Sequence, residues 1–160
     1  MKALVTLLVL ITGVMVSSCQ ESEDPLEPGA TVSLNRIPEN PAYTSLPLMG
    51  TQWKLLGFAD EKTGKIRLVE PYSDDNFILV FGESGTITGM TSTNEAYGEY
   101  SMSNNQLLIS SFGNATEINE LFDGPLYIET MNKVVTFKMS PKGLHLFYDE
   151  EKFLLFQQAE

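Results

Sequence analysis

Carboxylates are the only potentially catalytic side chains that this 160-residue sequence holds in quantity: 21 Asp and Glu stand against one His and one Cys. Asp74-Asp75 falls in a polar loop, and Glu95 and Glu99 fall on a hairpin. Glycosidic hydrolysis needs two carboxyl groups facing each other about 5–10 Å apart across a cleft. Loop and hairpin acids at these spacings read instead as solvated charges. Ser73–Asn76 and Asp149–Glu151 are crowded enough to attract calcium weakly, but they lack the alternating oxygen spacing of a calcium loop. His145 lies between Leu144 and Leu146, on the opposite face of an expected strand. With no second histidine it reads as a surface or half-buried residue rather than a base or ligand. There is no Gly-rich phosphate loop, nucleophile elbow or dinucleotide fingerprint. The expectation is a protein that is not an enzyme and uses neither cofactor nor metal. A net charge of −11 also argues against nucleic acid, which requires a basic stripe to displace counterions.

The lone thiol, Cys19, has a different chemistry. Lys2 precedes an apolar run of fourteen residues, Ala3–Val16, too short for the roughly 20 that span a bilayer and suited to an export signal. Val16-Ser17-Ser18-Cys19 then resembles the lipobox of bacterial lipoproteins: an aliphatic residue, two small residues and a cysteine. That resemblance implies cleavage after residue 18 and a diacylglyceryl thioether on Cys19. An ordinary signal peptide with a cysteine at its junction is the alternative, and placement of the only cysteine at this position favours lipidation. The implied partner is a membrane, and the implied location is the bacterial outer membrane, held there by palmitate-type acyl chains. Gln20–Asp24, with three acids in five residues, reads either as a solvated linker or as a signal for display on the cell surface.

The elements that must position everything else follow. Residues 19–47 hold five of the eight prolines and few apolar clusters, which predicts an extended tether, although Thr31–Leu34 has the composition of a short edge strand. The domain is expected over residues 48–160, where short β-branched and aromatic runs alternate with Gly and Asn turns. Strands are predicted at 52–58, 66–69, 77–81, 86–90, 97–102, 106–110, 134–139, 144–148 and 153–157. The continuously apolar 77–81 run suggests a strand buried on both faces. Two helical pieces are predicted, Thr116–Phe122, capped by Thr116, and Pro125–Met131. The fold class is therefore mainly β: an antiparallel curved sheet or barrel of about eight short strands with one helical segment.

Gly89-Met-Thr-Ser-Thr-Asn94-Glu-Ala-Tyr97-Gly98-Glu-Tyr100 resembles the signature of the META domain, found in bacterial heat-inducible lipoproteins. That signature runs glycine, three residues, Cys-Asn, three residues, then Gly-x-Tyr. Trp53, Phe81, Gly85, Thr116, Met131, Val134 and Phe137 fall in the family's order around it, so the resemblance covers nearly all of 51–156. Thr93 stands in place of the motif's cysteine, and the second family cysteine is missing near Glu120. The resemblance thus implies that Thr93 lies beside residues 119–121. On their own chemistry, Gly85 and Gly89 suit tight turns and close backbone approach, and Asn94 suits satisfaction of strand-end backbone groups. Trp53, Tyr97 and Tyr100 are expected in the core with polar tips at its edge.

The functional expectation is a membrane-anchored envelope lipoprotein acting through protein contacts or in envelope maintenance. A lipocalin-like carrier of a small apolar ligand and a protease-inhibitor-like module are the alternatives.

Overall fold

The computed structural model describes residues 26–104, 106–115 and 118–159. The export signal, Cys19, the 20–24 acidic run and Thr116 lie outside the described residues. Ten strands follow in order: β1 Thr31–Ser33, β2 Gln52–Asp60, β3 Lys65–Leu68, β4 Ile78–Phe81 and β5 Thr86–Met90, then β6 Glu95–Ser103, β7 Gln106–Asn114, β8 Thr136–Ser140, β9 Gly143–Phe147 and β10 Lys152–Gln158. One helix, α1 (Gly124–Met131), interrupts them, with Pro125 in its first turn.

All strand pairs named here are antiparallel. The sheet order is β1-β3-β2-β10-β9-β8-β7-β6-β5-β4, and β4 also pairs with β2 through Gln52–Val80, Trp53–Leu79 and Lys54–Ile78. That pairing closes β2, β10, β9, β8, β7, β6, β5 and β4 into an eight-stranded barrel, leaving β3 and β1 as a ribbon beyond β2. An eight-stranded barrel is just wide enough for side chains to fill its interior. Here Trp53, Leu55, Phe77, Phe81, Tyr127 and Phe156 are among those that fill it.

Two bulges keep the apolar residues aimed inward. Glu99 pairs with Ser111 but Tyr100 pairs with Ile109, so β7 carries one extra residue. The slip lets both Ile109 and Phe112 point inward although they are three positions apart. A second slip sits where Leu155 faces Gly57 and Phe156 faces Leu55. The seam between β7 and β8 is thin, with Gln106–Thr136 as its ladder pair. Asn132, just past α1, substitutes for a strand there. Its amide accepts from Phe112 N–H at 2.9 Å and donates to Phe112 O at 2.7 Å.

Three sequence expectations are corrected. The 77–81 run is buried on one face only: Leu79 and Phe81 point in while Ile78 and Val80 are half-buried. Helix does not form over residues 118–122, because the backbone there is committed elsewhere. Ile118 O accepts from the Asn94 side chain, and Leu121 N–H donates to Ser92 Oγ. The part of the expected tether from Thr31 onward belongs to the domain. β1 pairs with β3, two short 3₁₀ turns follow at Leu34–Arg36 and Pro41–Ser45, and Ile37 is 2% exposed. The physical reason is on the outside of the barrel. Phe153, Leu155, Ala59, Ile66 and Leu68 present a second apolar surface on the outer face of β10, β2 and β3, and Val32, Leu34 and Ile37 cover it.

Candidate functional site

The signature residues come together at the β4–β5–β6 corner. Trp53 is fully buried and its indole N–H donates to Leu48 O at 3.0 Å. Tyr100 is buried against Phe81, edge to face at 5.0 Å, with its hydroxyl donating to Gly82 O at 2.8 Å. Gly85, at φ +81°, turns the chain so that its carbonyl accepts from Tyr100 N–H at 2.8 Å. At Gly89 the strands approach so closely that a Cβ would sit 2.0 Å from Ile78 O. Gly98 lies across from Phe112 in the β6–β7 pairing. These residues do structural work. Tyr97 departs from expectation: it is 50% exposed, with its hydroxyl donating to Glu95 Oε2 at 2.8 Å. Ala96, Gly98 and Tyr100 share the inward face, so Tyr97 takes the outward one with Glu95 and Glu99.

The loop after β5 forms the densest polar cluster. Asn94 O accepts from Thr91 N–H at 2.8 Å, and Thr91 Oγ1 accepts from Asn94 N–H at 3.0 Å. The Glu120 carboxylate then accepts from Thr91 Oγ1 at 2.7 Å, Ser92 Oγ at 2.6 Å, Asn94 Nδ2 at 2.5 Å and Asn114 Nδ2 at 3.0 Å. Burial by itself would raise the Glu120 pKa. The hydrogen bonds from Asn94, Ser92, Thr91 and Asn114 outweigh it and hold the carboxyl below its ordinary value. Asn94 also donates to Ile118 O at 2.8 Å. The two neighbours of Thr93, Ser92 and Asn94, thereby touch residues 118–121. Sequence reading noticed Glu120 only as the place of a missing cysteine, because nothing local to it signals its partners.

Just past this cluster, Asp123 accepts a bidentate pair from Arg67 at 2.8 and 2.9 Å and a third bond from Glu70 N–H at 2.8 Å. Between the two anchors Leu121 and Phe122 are 51% and 67% exposed. This apolar pair is thus exposed between two hydrogen-bonded points.

The two acid pairs weighed for catalysis are placed differently. Glu95 and Glu99 sit four residues apart on one face of a strand, about 13 Å at the usual rise. Asp74 and Asp75 are exposed on a loop that Lys54 holds. Lys54 Nζ, buried, donates to Ser73 O, Asn76 O and Asn76 Oδ1 and lies 4.9 Å from the centre of the Tyr72 ring. Desolvation lowers the Lys54 pKa, while Asp74 and Asp75 oppose that shift.

His145 is buried, not at the surface. Its ring stacks on Phe153 at 4.2 Å, and Nε2 shares a hydrogen bond of 2.8 Å with Ser140 Oγ. Burial, then the charges of Lys138 and Lys142, push its pKa down to about 4. A Ser–His contact can be a nucleophile and base, but among the described residues Nδ1 has no partner to orient the ring, and Ser140 Oγ also accepts from Lys142 N–H at 3.0 Å. The contact ties a turn together. Alternation in β9 and β10 predicts that the two rings share a face, but not that 31–37 covers it.

Fold and site together define a filled, eight-stranded antiparallel barrel with an added two-stranded ribbon. No protein-family model matches the chain, and no curated protein does. Two solved structures resemble it in fold. A protein from Burkholderia xenovorans, determined by NMR, is 23% identical with a TM-score of 0.54, over 76% of this chain and 90% of that one. A DUF4847 family protein from Bacteroides vulgatus, determined by crystallography, is 13% identical with a TM-score of 0.52, over 71% of this chain and 96% of that one. Both likenesses are of fold alone.

Proposed function

We propose that this chain is a lipid-anchored bacterial envelope protein whose META-like β domain acts through contacts rather than catalysis. The observation that carries the META-like part is the seam between Ser92–Asn94 and Ile118–Leu121. The family resemblance puts a cystine at that seam, and this chain has Thr93 and Glu120 with a carboxylate-centred hydrogen-bond cluster instead. Polar residues take over the cross-link's role of holding the post-hairpin segment on the barrel. The anchor rests on Cys19, the only thiol, behind its short apolar run. At the outer membrane, two or more acyl chains would make the attachment stable where one would be marginal.

The absence of catalysis is supported by what the ionisable groups are doing. Glu120 and Asp123 are occupied as hydrogen-bond hubs, Glu95 and Glu99 are set about 13 Å apart along their strand, and His145 is buried in a stack. A contact role is favoured by the exposed Leu121–Phe122 pair, which also keeps a protease-inhibitor-like module as a second reading. The carrier reading loses support because large side chains occupy the barrel interior where an apolar ligand would sit.

Metabolic labelling with a fatty acid tests the anchor. The parent protein should take up label and be processed, whereas Cys19→Ser should take up none and accumulate as precursor. Equal labelling of the two would overturn the lipoprotein reading.

A further inference from the structure

On the outside of the barrel an open cleft of about 960 Å³ runs between the Pro41–Ser45 turn and the 71–76 loop. Its floor is the outward side of β2 and the end of β10, with Gln52, Lys54 and Gln158; Tyr43 stands in one wall, and Tyr72, Asp74 and Asp75 in the other. A narrower apolar groove of about 230 Å³ continues from it, sharing Leu56, Tyr72 and Gln157. This space belongs neither to the signature corner nor to the Glu120 cluster.

We propose that this cleft binds a neutral saccharide. Anionic ligands fit poorly. The one cation on the floor, Lys54, already directs its donors at Ser73 and Asn76, two exposed carboxylates face the same space, and the whole chain carries −11. Cationic ligands gain less than the two aspartates alone would give, because the buried Lys54 ammonium interacts with both Asp74 and Asp75 and offsets part of their charge. Among the described residues no group of three His, Cys, Asp or Glu converges to hold a metal. What remains suits hydroxyl groups, each of which donates and accepts at once. Gln52 and Gln158 are exposed amides offering both functions, and the two aspartates accept. Tyr43 and Tyr72 add rings against which the apolar face of a sugar can lie. Tyr72 is half exposed, and the Lys54 ammonium braces its ring. The volume lies at the upper end of the range for small-ligand sites, enough for several sugar units.

Titration calorimetry of the full-length protein in a detergent without sugar head groups tests this. The probes are maltohexaose, cellohexaose and chitohexaose, with hexalysine as the charged control. At least one hexasaccharide should bind with a Kd of about 1 mM or tighter, unchanged on raising salt to about 0.5 M. The double substitution Gln52→Ala with Gln158→Ala, at exposed strand positions, should weaken binding about fivefold or more while the melting temperature holds. Tyr72→Ala should weaken it to a similar degree. The proposal is overturned if none of the three hexasaccharides binds at millimolar concentration, or if the glutamine pair leaves their binding unchanged. It is equally overturned if hexalysine alone binds and is lost with Asp74→Asn and Asp75→Asn, since that marks a cleft for basic peptide.

Discussion

Asn94 and Glu120, 26 positions apart, meet through a 2.5 Å hydrogen bond from Nδ2 to Oε1, and the loop after β5 is closed onto the segment before α1 by that contact and its neighbours. Four side chains converge on one carboxylate there. Removing the acceptor takes one shared partner from all four, although Asn94 keeps its bond to Ile118 O.

Glu120→Ala should therefore destabilise the domain by about 1–3 kcal/mol, the range for polar groups left unsatisfied. Urea denaturation checks this, and a change under about 0.5 kcal/mol would show the cluster to be solvated and replaceable. Because the folded state holds this carboxyl below its ordinary pKa, the cluster's contribution is fully present above the unfolded value. It is lost as pH falls through the folded one. The deficit of the Ala variant relative to the parent should accordingly shrink in acid.

The same seam can be cross-linked. Thr93→Cys with Glu120→Cys, made together with Cys19→Ser, should oxidise readily, because the neighbours of Thr93 already touch residues 118–121. Closing a loop of about 28 residues should stabilise the oxidised form over the reduced form of the same variant by about 3–4 kcal/mol. Failure to form the bond under mild oxidation would place the two positions out of disulfide reach and remove the support for a META-like seam.

Ile37 tests where the domain begins. Ile37→Ala should cost about 2–5 kcal/mol, as for other buried Ile truncations, since the side chain caps the outer apolar surface. A chain beginning at Leu48 should melt well below one beginning at Leu26. Equal melting temperatures would mean that 26–47 is only a tether.

His145 sets a pH response in a separate window. Its folded pKa of about 4 is below the ordinary value of 6.5, so unfolding takes up a proton between those limits. Stability should fall as pH drops from about 6.5 to about 4, by at most about 1.4 kcal/mol per unit from this residue. His145→Gln should flatten that part of the curve, and an unchanged slope would assign it to other groups.

Much of the strand layout was legible in the sequence, because turn chemistry and the alternation of apolar with polar residues are local. β5 is found at the residues expected, and β2, β3, β9 and β10 within two residues at either end. Trp53, Gly85, Gly89 and Tyr100 could be read as structural because their conformational and packing needs are their own. Tyr97 was misread as core although its alternation with Ala96 and Gly98 carried the outward signal, since neighbours on a strand take opposite faces. The short apolar run before Cys19 likewise speaks through composition alone, which is why the anchor can be proposed from residues outside the described structure.

Tertiary structure decided what depends on partners distant along the chain. The extra residue in β7 makes Ile109 and Phe112 share one face, and that slip is defined only against β6. The 31–47 segment looks like tether because its few apolar residues are sparse. It packs because β2, β3 and β10, when assembled, leave an outer apolar surface that water would otherwise contact. Glu120 looked like a gap in a motif and is a hub, since three of its donors come from the loop after β5 and the fourth from the end of β7. Pairing of β4 with β2 decides whether the sheet is open or a barrel, and it joins residues about 25 positions apart that carry no mutual sequence signal.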